Sequence, residues 1–223
     1  MLKSLFVISL QLLALISFCT DAGGQEYIPL DQKLEGLGPE PRISYLRYLI
    51  GNQEADSRVF FHLGVAFHEM GRADSAIHYY QEAVREDSTM FKALVNLGVL
   101  YDEKGNMMKA VENYQAALKV RPQDVLASTQ LGALYYRTEA YDTAIEYIRR
   151  ALNSDRSHPQ PHYYLGNYFA DSGIYREAIR EWEKVIELGP GTEAASRARK
   201  NIRTVRNAMK EPSMLDSLEL RDR

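Results

Sequence analysis

The chain has few of the residues that carry covalent chemistry or cross-links. Its 223 residues include one cysteine, one tryptophan and five histidines. A lone cysteine closes no intrachain disulfide, so packing must hold the chain together. That cysteine, Cys19, lies near the start, and no thiol nucleophile exists beyond it. The histidines are His62, His68, His78, His158 and His162, and no two stand in the His-Glu-x-x-His spacing that puts two zinc ligands and a base on one helix face. Glycine-rich phosphate loops, dinucleotide fingerprints and Gly-x-Ser-x-Gly elbows are missing too. The reading is therefore no catalytic residues, no metal and no cofactor. A surplus of one charge is also lacking. Lys and Arg number 27 against 30 Asp and Glu, and their interspersed arrangement gives no basic face to address nucleic acid. The hydrophobic share of 45% is enough for a substantial core and excludes wholesale disorder.

One long apolar run stands at the beginning. Lys3 precedes an uncharged stretch from Ser4 to Phe18, and Asp21 closes it. As a helix, fifteen residues reach about 22 Å, short of a hydrocarbon core of roughly 30 Å. The pattern reads as a secretory signal peptide over residues 1–22, which makes the chain exported, periplasmic or secreted. Cys19 then has two readings. It is a lipidation site, giving an outer-membrane lipoprotein held only by that anchor, with bulky Phe18 against it; or cleavage after Ala22 or Gly24 discards it.

What the chain has in quantity is repetition. Gly64, Gly98, Gly132 and Gly166 are spaced by 34 residues, each preceded by a leucine and followed three places later by Phe67, Tyr101, Tyr135 or Phe169. Twelve places after each glycine stands Ala76, Ala110, Ala144 or Ala178. Next at the same interval come Tyr80, Tyr114, Ile148 and Trp182, and then Ala83, Ala117, Ala151 and Val185. A fixed period of this length means a solenoid. In each repeat, Phe60, Leu63, Gly64 and Phe67 or their counterparts line one helix, and the alanine-aromatic stripe lines a second. Each repeat is thus a helical hairpin in which small residues let two backbones approach.

At these residues the sequence resembles the tetratricopeptide repeat family, whose pattern has leucine-glycine and tyrosine in the first helix and alanine, aromatic, alanine in the second. Phe60, Leu94, Ser128 and His162 stand where the family has an early tryptophan, and its closing proline appears only as Pro122 and Pro190. The resemblance implies an all-α, right-handed superhelical solenoid of helix-turn-helix repeats. Its expected divisions are a flexible linker over 23–40, a capping half repeat over 41–56, repeats over 57–90, 91–124, 125–158 and 159–192, a capping helix over 193–211 and a tail over 212–223. In the capping half repeat, Leu46 and Leu49 lie one period before Tyr80 and Ala83. In the capping helix, Ala195, Ala198, Ile202, Val205 and Met209 form an apolar stripe against the fourth repeat. Its many arginines have a second reading, as a contact for a membrane surface or nucleic acid. Gly71, Gly105 and Gly173 punctuate the hairpin turns, and Glu139 takes that place in the third repeat.

The resemblance also implies function: a non-enzymatic scaffold or adaptor that binds a protein or peptide partner in the concave groove lined by the first helices. The groove candidates are Phe61, Val65 and His68; Val95, Val99, Asp102 and Glu103; Thr129, Tyr136 and Arg137; and Tyr163 and Asn167. Phe61, Tyr136 and Tyr163 are the expected anchors, because aromatics offer large area at low entropic cost. Some family members hold a terminal carboxylate in a clamp of lysine, arginine and asparagine. Phe61, Val65, Leu126 and Gln130 stand where cations or amides would be needed, which disfavours that ligand. The alternative functions are a glycan or small-ligand module, or an accessory subunit of an envelope export or cell-wall machine.

Overall fold

A computed structural model describes residues 29–209. The expected signal peptide, Cys19 and the tail lie outside the described residues. Eleven helices are present among the described residues: α1 (Leu30–Leu34), α2 (Pro39–Gly51), α3 (Ser57–Glu69), α4 (Ala73–Glu86), α5 (Phe91–Glu103), α6 (Met107–Val120), α7 (Val125–Arg137), α8 (Tyr141–Ser154), α9 (Pro159–Asp171), α10 (Tyr175–Leu188) and α11 (Glu193–Ala208). They form an all-α solenoid of helix-turn-helix repeats, in which consecutive helices pack as pairs. The chain divides into two compact bodies, one reaching Glu86 and the other starting at Asp87.

In the first body, part of the stretch expected as a flexible linker is structured. Residues 30–34 form α1 and bury Leu34, and Asp31 pairs with His62 of α3 at 2.6 Å. Helix α2 begins at Pro39, earlier than the boundary at residue 41, because proline's fixed φ suits the first helical turn. It buries Ile43, Leu46 and Leu49. Asp56 caps α3 by accepting from the amides of Arg58 and Val59 at 2.9 and 3.1 Å. Burial alone would raise its pKa, but the hydrogen bonds from Arg58 and Val59 outweigh that and hold the carboxyl below its ordinary value.

The hairpins close on their glycines. A Cβ at Gly98 would stand 2.6 Å from the ring of Tyr114, and one at Gly166 2.6 Å from that of Trp182. The same contact joins Gly64 to Tyr80 and Gly132 to Ile148. Tyr80, Tyr114, Ile148 and Trp182 are all buried. Burying a ring of this size contributes a few kcal/mol, so the approach permitted by the missing side chain is a large stabilising term. Alongside it, Phe67 stacks on Tyr79 at 5.3 Å and Tyr135 on Tyr147 at 5.7 Å.

In the second body, α11 covers the last hairpin. Ala198, Ile202 and Val205 join Ala178, Trp182 and Val185 in one buried cluster, with Met209 packed against it. The stripe expected to seal the fourth repeat is therefore in place, and its apolar residues are not available to a membrane surface. No helix among the described residues is long and apolar enough to cross a membrane. His162, in the family's tryptophan position, is buried and faces Glu181 at 2.6 Å and the Arg156 carbonyl at 2.9 Å. Burial alone would raise the Glu181 pKa, but hydrogen bonds from His162 and Lys184 overcome this and depress it.

Two outcomes follow from these contacts. Glu139 adopts φ +61°, matching Gly71, Gly105 and Gly173 at +70°, +72° and +74°, so it bears the strain of a left-handed backbone. Glu139→Gly should remove about 1 kcal/mol of strain, offset in part by the freedom glycine adds to the unfolded chain, and raise the Tm by about 1–3 °C. An unchanged or lower Tm in a thermal melt would show that the turn is not strained. The depressed Glu181 carboxyl stabilises the fold above the unfolded glutamate value of about 4.3, and that contribution is lost as pH falls through the lower folded value. Glu181→Gln should therefore cost about 1 kcal/mol at neutral pH and flatten the fall of Tm with acid. Parallel pH profiles for the two proteins would contradict this.

Candidate functional site

The first helices of the repeats carry the candidate surface, and each body presents its own part. In the first, Phe61 is half-buried, tilted against Tyr80 at 5.8 Å and edge-on to His62 at 5.4 Å. Val65 and His68 are also half-buried. Phe61 thus keeps part of its ring open while the rest supports the hairpin.

In the second body, the candidates divide by burial. Val95 is 5% exposed and Thr129 is 0% exposed, with the Thr129 hydroxyl donating to the Val125 carbonyl at 2.6 Å. Neither offers surface, which corrects their place among the groove residues. Both sit where helix spacing points toward a neighbouring helix. Asn167 is half-buried, and its Oδ1 accepts from Trp182 Nε1 at 3.1 Å and from Asn201 Nδ2 at 3.3 Å. It ties the last hairpin to the capping helix, so its polar end is occupied by structure. Val99, Asp102, Tyr136 and Tyr163 remain half-buried, and Glu103 and Arg137 are exposed.

Several of these residues bind one another across repeats. Arg137 of α7 pairs with Asp102 of α5, and the Tyr136 hydroxyl of α7 donates to Asp171 of α9. Both links span 35 residues, one period plus one place, so they are two rungs of the same ladder at the C-terminal ends of the first helices. The charge of the neighbouring acids Asp102 and Glu103 is altered by this. Asp102 is neutralised by Arg137, leaving Glu103 beside it. Burial pushes the Tyr136 phenol well above its ordinary range, and the hydrogen bond to Asp171 adds to the effect. The hydroxyl therefore stays a donor throughout the neutral range. Tyr114, beneath this surface, is raised by burial and then by Asp102 and Glu103.

The ring contacts extend beyond the expected residues. Tyr168 meets Tyr141 at 6.3 Å, Tyr141 meets Tyr136 at 5.7 Å, Tyr136 meets Tyr164 at 6.4 Å, and Tyr164 meets Tyr163 at 5.7 Å. Five tyrosines thus form one unbroken row over the third and fourth repeats. Sequence reasoning selected Tyr136 and Tyr163 and missed the other three. Tyr141 opens the second helix of its hairpin, and Tyr164 and Tyr168 lie off the first-helix stripe. Only the chain's 15 tyrosines could have hinted at them. At the Tyr163 end the row opens into a cavity of about 440 Å³, lined also by Gln160, Thr192 and Arg197. Burial raises the Tyr164 phenol, with Arg137 and Arg197 acting in the opposite sense. No group of three or more metal-ligating side chains converges among the described residues.

Comparisons with known proteins place these features. A family model described as tetratricopeptide repeat matches residues 57–89, and a second with the same description matches residues 95–161. A crystal structure of MamA superposes with a TM-score of 0.65 at 19% identity, covering 74% of this chain and 96% of that one. A thermophilic repeat protein of Thermus thermophilus, TTC0263, gives 0.57 at 16% identity, over 75% and 90% of the two chains. The first repeat domain of Spaghetti (RPAP3), bound to an HSP90 peptide, gives 0.50 at 22% identity, over 56% and 97%. At these identities the solved structures share the fold. No curated protein sequence matches the chain.

The ladder generates its own expectation. Tyr136→Phe keeps the ring contacts and deletes one rung, which should lower stability by about 0.5–1 kcal/mol with unchanged helical content. Denaturant melts followed by circular dichroism measure this. A loss below a few tenths of a kcal/mol would mean that the rung contributes nothing.

Proposed function

Because this chain belongs to the tetratricopeptide repeat family, we propose that it is a non-enzymatic scaffold that holds a protein or peptide partner on the tyrosine row of its third and fourth repeats. The observation that carries this reading is the run Tyr168–Tyr141–Tyr136–Tyr164–Tyr163, half-exposed over most of its length. Rings already packed against one another lose little entropy on binding and offer apolar area beside a polar hydroxyl. Glu103 and Arg137 give the rim charges of both signs, which set orientation more than affinity. The HSP90 peptide carried by the Spaghetti domain supports the idea that this fold can hold a peptide. Phe61, Val65 and His68 offer a separate surface on the first body, and Val99 adds an apolar edge on the second.

The same reading places the scaffold outside the cytoplasm, in the periplasm or beyond, through the signal-like segment at residues 1–22. Cys19 is either its lipid anchor or lost with the signal. Mass measurement of the purified protein's N terminus separates the two, since an acylated Cys19 and a chain starting at Gly23 or Gln25 differ unmistakably. An aromatic row also suits the faces of sugar rings, so a glycan ligand is the second reading.

The direct test is affinity capture from the source extract with tagged full-length protein, followed by identification of what co-purifies. Tyr163→Ala should reduce capture of the principal partner about 10-fold or more, equivalent to 1–3 kcal/mol, while leaving the circular dichroism spectrum intact. Undiminished capture by a folded Tyr163→Ala protein would remove the row from the binding site. A carbohydrate in place of a protein among the captured molecules would select the second reading.

A further inference from the structure

One end of the tyrosine row stands among carboxylates. Tyr141 is 38% exposed and lies between two other rings of the row, with Tyr136 inclined to it by 67° and Tyr168 by 55°. Ring faces carry negative potential, so inclined rings a few ångströms apart present it in several directions. Three acids adjoin these rings. Asp171 accepts from the Tyr136 hydroxyl, a neutral donor that leaves the carboxylate its charge. Asp142 follows Tyr141 in the chain and borders, with Tyr168, a groove of about 850 Å³. Glu139 lies in the turn between Tyr136 and Tyr141, where its amide donates to the Tyr136 carbonyl at 3.1 Å. All three acids are exposed, and none has an ion-pair partner among the described residues.

The chain's own cations do not answer these charges. No lysine or arginine stands three or four places from Glu139, Asp142 or Asp171, the spacing at which a helix neighbour turns to meet an acid. Arg137 pairs with Asp102, and Arg150 donates to the Pro122 carbonyl at 2.9 Å. Arg149 lies about 10 Å along α8 from Asp142 and has Glu146 within its own reach, three places before it. Unpaired acids occur away from the row as well, as Glu112 on α6 does, and water satisfies them there. Those beside the row lose water once a peptide settles on it, and a carboxylate stripped of water without a compensating charge is costly. An acidic segment would add repulsion, and a neutral one would leave that cost unmet. Resting on the reading that the row holds a peptide partner, we propose that its Tyr136, Tyr141 and Tyr168 end takes a basic segment, with a lysine or arginine side chain over the Tyr141 ring and its charge among Glu139, Asp142 and Asp171. Arginine fits better than lysine, because its flat guanidinium stacks on a ring while its edge donates to carboxylates. The charges are exposed, so salt weakens the contact.

Fluorescence polarisation with the full-length protein tests this, using three labelled glycine-serine peptides of equal length that carry two arginines, two glutamines or two glutamates. The arginine peptide should bind about 10-fold more tightly than the glutamine peptide, and the glutamate peptide should bind most weakly. Raising salt from about 0.05 M to about 0.5 M should weaken the arginine peptide several-fold. Tyr141→Leu removes the ring and no charge, and Asp142→Asn removes the charge and no ring. Each should weaken the arginine peptide about 2- to 5-fold. Glu112→Gln deletes the same charge on α6 and should leave binding unchanged. Circular dichroism reports whether each variant is folded. Equal binding of the arginine and glutamine peptides overturns the proposal. So does undiminished binding by a folded Tyr141→Leu or Asp142→Asn protein, or a loss on Glu112→Gln as large as that on Asp142→Asn. Capture of a partner from extract that is lost on Tyr163→Ala but untouched by Asp142→Asn also overturns it, while leaving the row itself as the binding site.

Discussion

The contact on which this molecule depends is a glycine lying flat against a large side chain, made once in every repeat. Gly64 takes Tyr80, Gly98 takes Tyr114, Gly132 takes Ile148 and Gly166 takes Trp182. Because no Cβ intervenes, the two helices of a hairpin come close enough for the ring or branched chain to be fully enclosed. The alanines at 76, 110, 144 and 178 are themselves fully buried and complete the contact from the other helix. The residue in the family's tryptophan position can vary as widely as Phe60, Leu94, Ser128 and His162 because this contact already sets the spacing. At His162 the polar substitute is kept by pairing with Glu181, which satisfies a side chain that burial would otherwise penalise.

A stack of such hairpins still needs to fix how one repeat follows the next, and in the second body polar side chains contribute to this. The Arg137–Asp102 pair and the Tyr136–Asp171 hydrogen bond occupy corresponding places on successive repeats. Both are partly exposed, so each contributes modestly, and their value lies in geometry more than in energy. The tyrosine row is built on the same residues. The ladder holds Tyr136 on one side, and on the other Tyr163 packs against the cluster that the capping helix completes with Ala198, Ile202 and Val205. The proposed binding surface and the inter-repeat bonding share the same few side chains, so a partner seated there would also bear on how those repeats stand together.

Charge distribution separates the faces of the second body. On α10 and α11 several acids and bases pair within or between the two helices: Glu177 with Arg180, Glu181 with Lys184, Glu193 with Arg197 and Glu183 with Arg206. Glu177 and Arg180, and Glu181 and Lys184, stand three apart with the acid first and find each other, and Arg150 of α8 donates to the Pro122 carbonyl.

The sequence by itself determined the fold class, the hairpin boundaries and the core, because a 34-residue period written four times fixes which residues face inward. It also marked the strained turn, since Glu139 stands in a place otherwise held by glycine, and the cap, since the α11 stripe has a helical period. Only the tertiary structure decided which first-helix residues remain available. Val95 and Thr129 share the stripe of Val99 and Tyr136 but are covered by neighbouring helices, and Asn167 is consumed by Trp182 and Asn201. Nor does periodicity reveal that Tyr141, from the start of a second helix, meets Tyr136 and Tyr168 from first helices. Helical spacing states which way a side chain points from its own axis. What it meets there depends on the placement of the adjacent helices, and that is set by contacts between residues far apart in the chain.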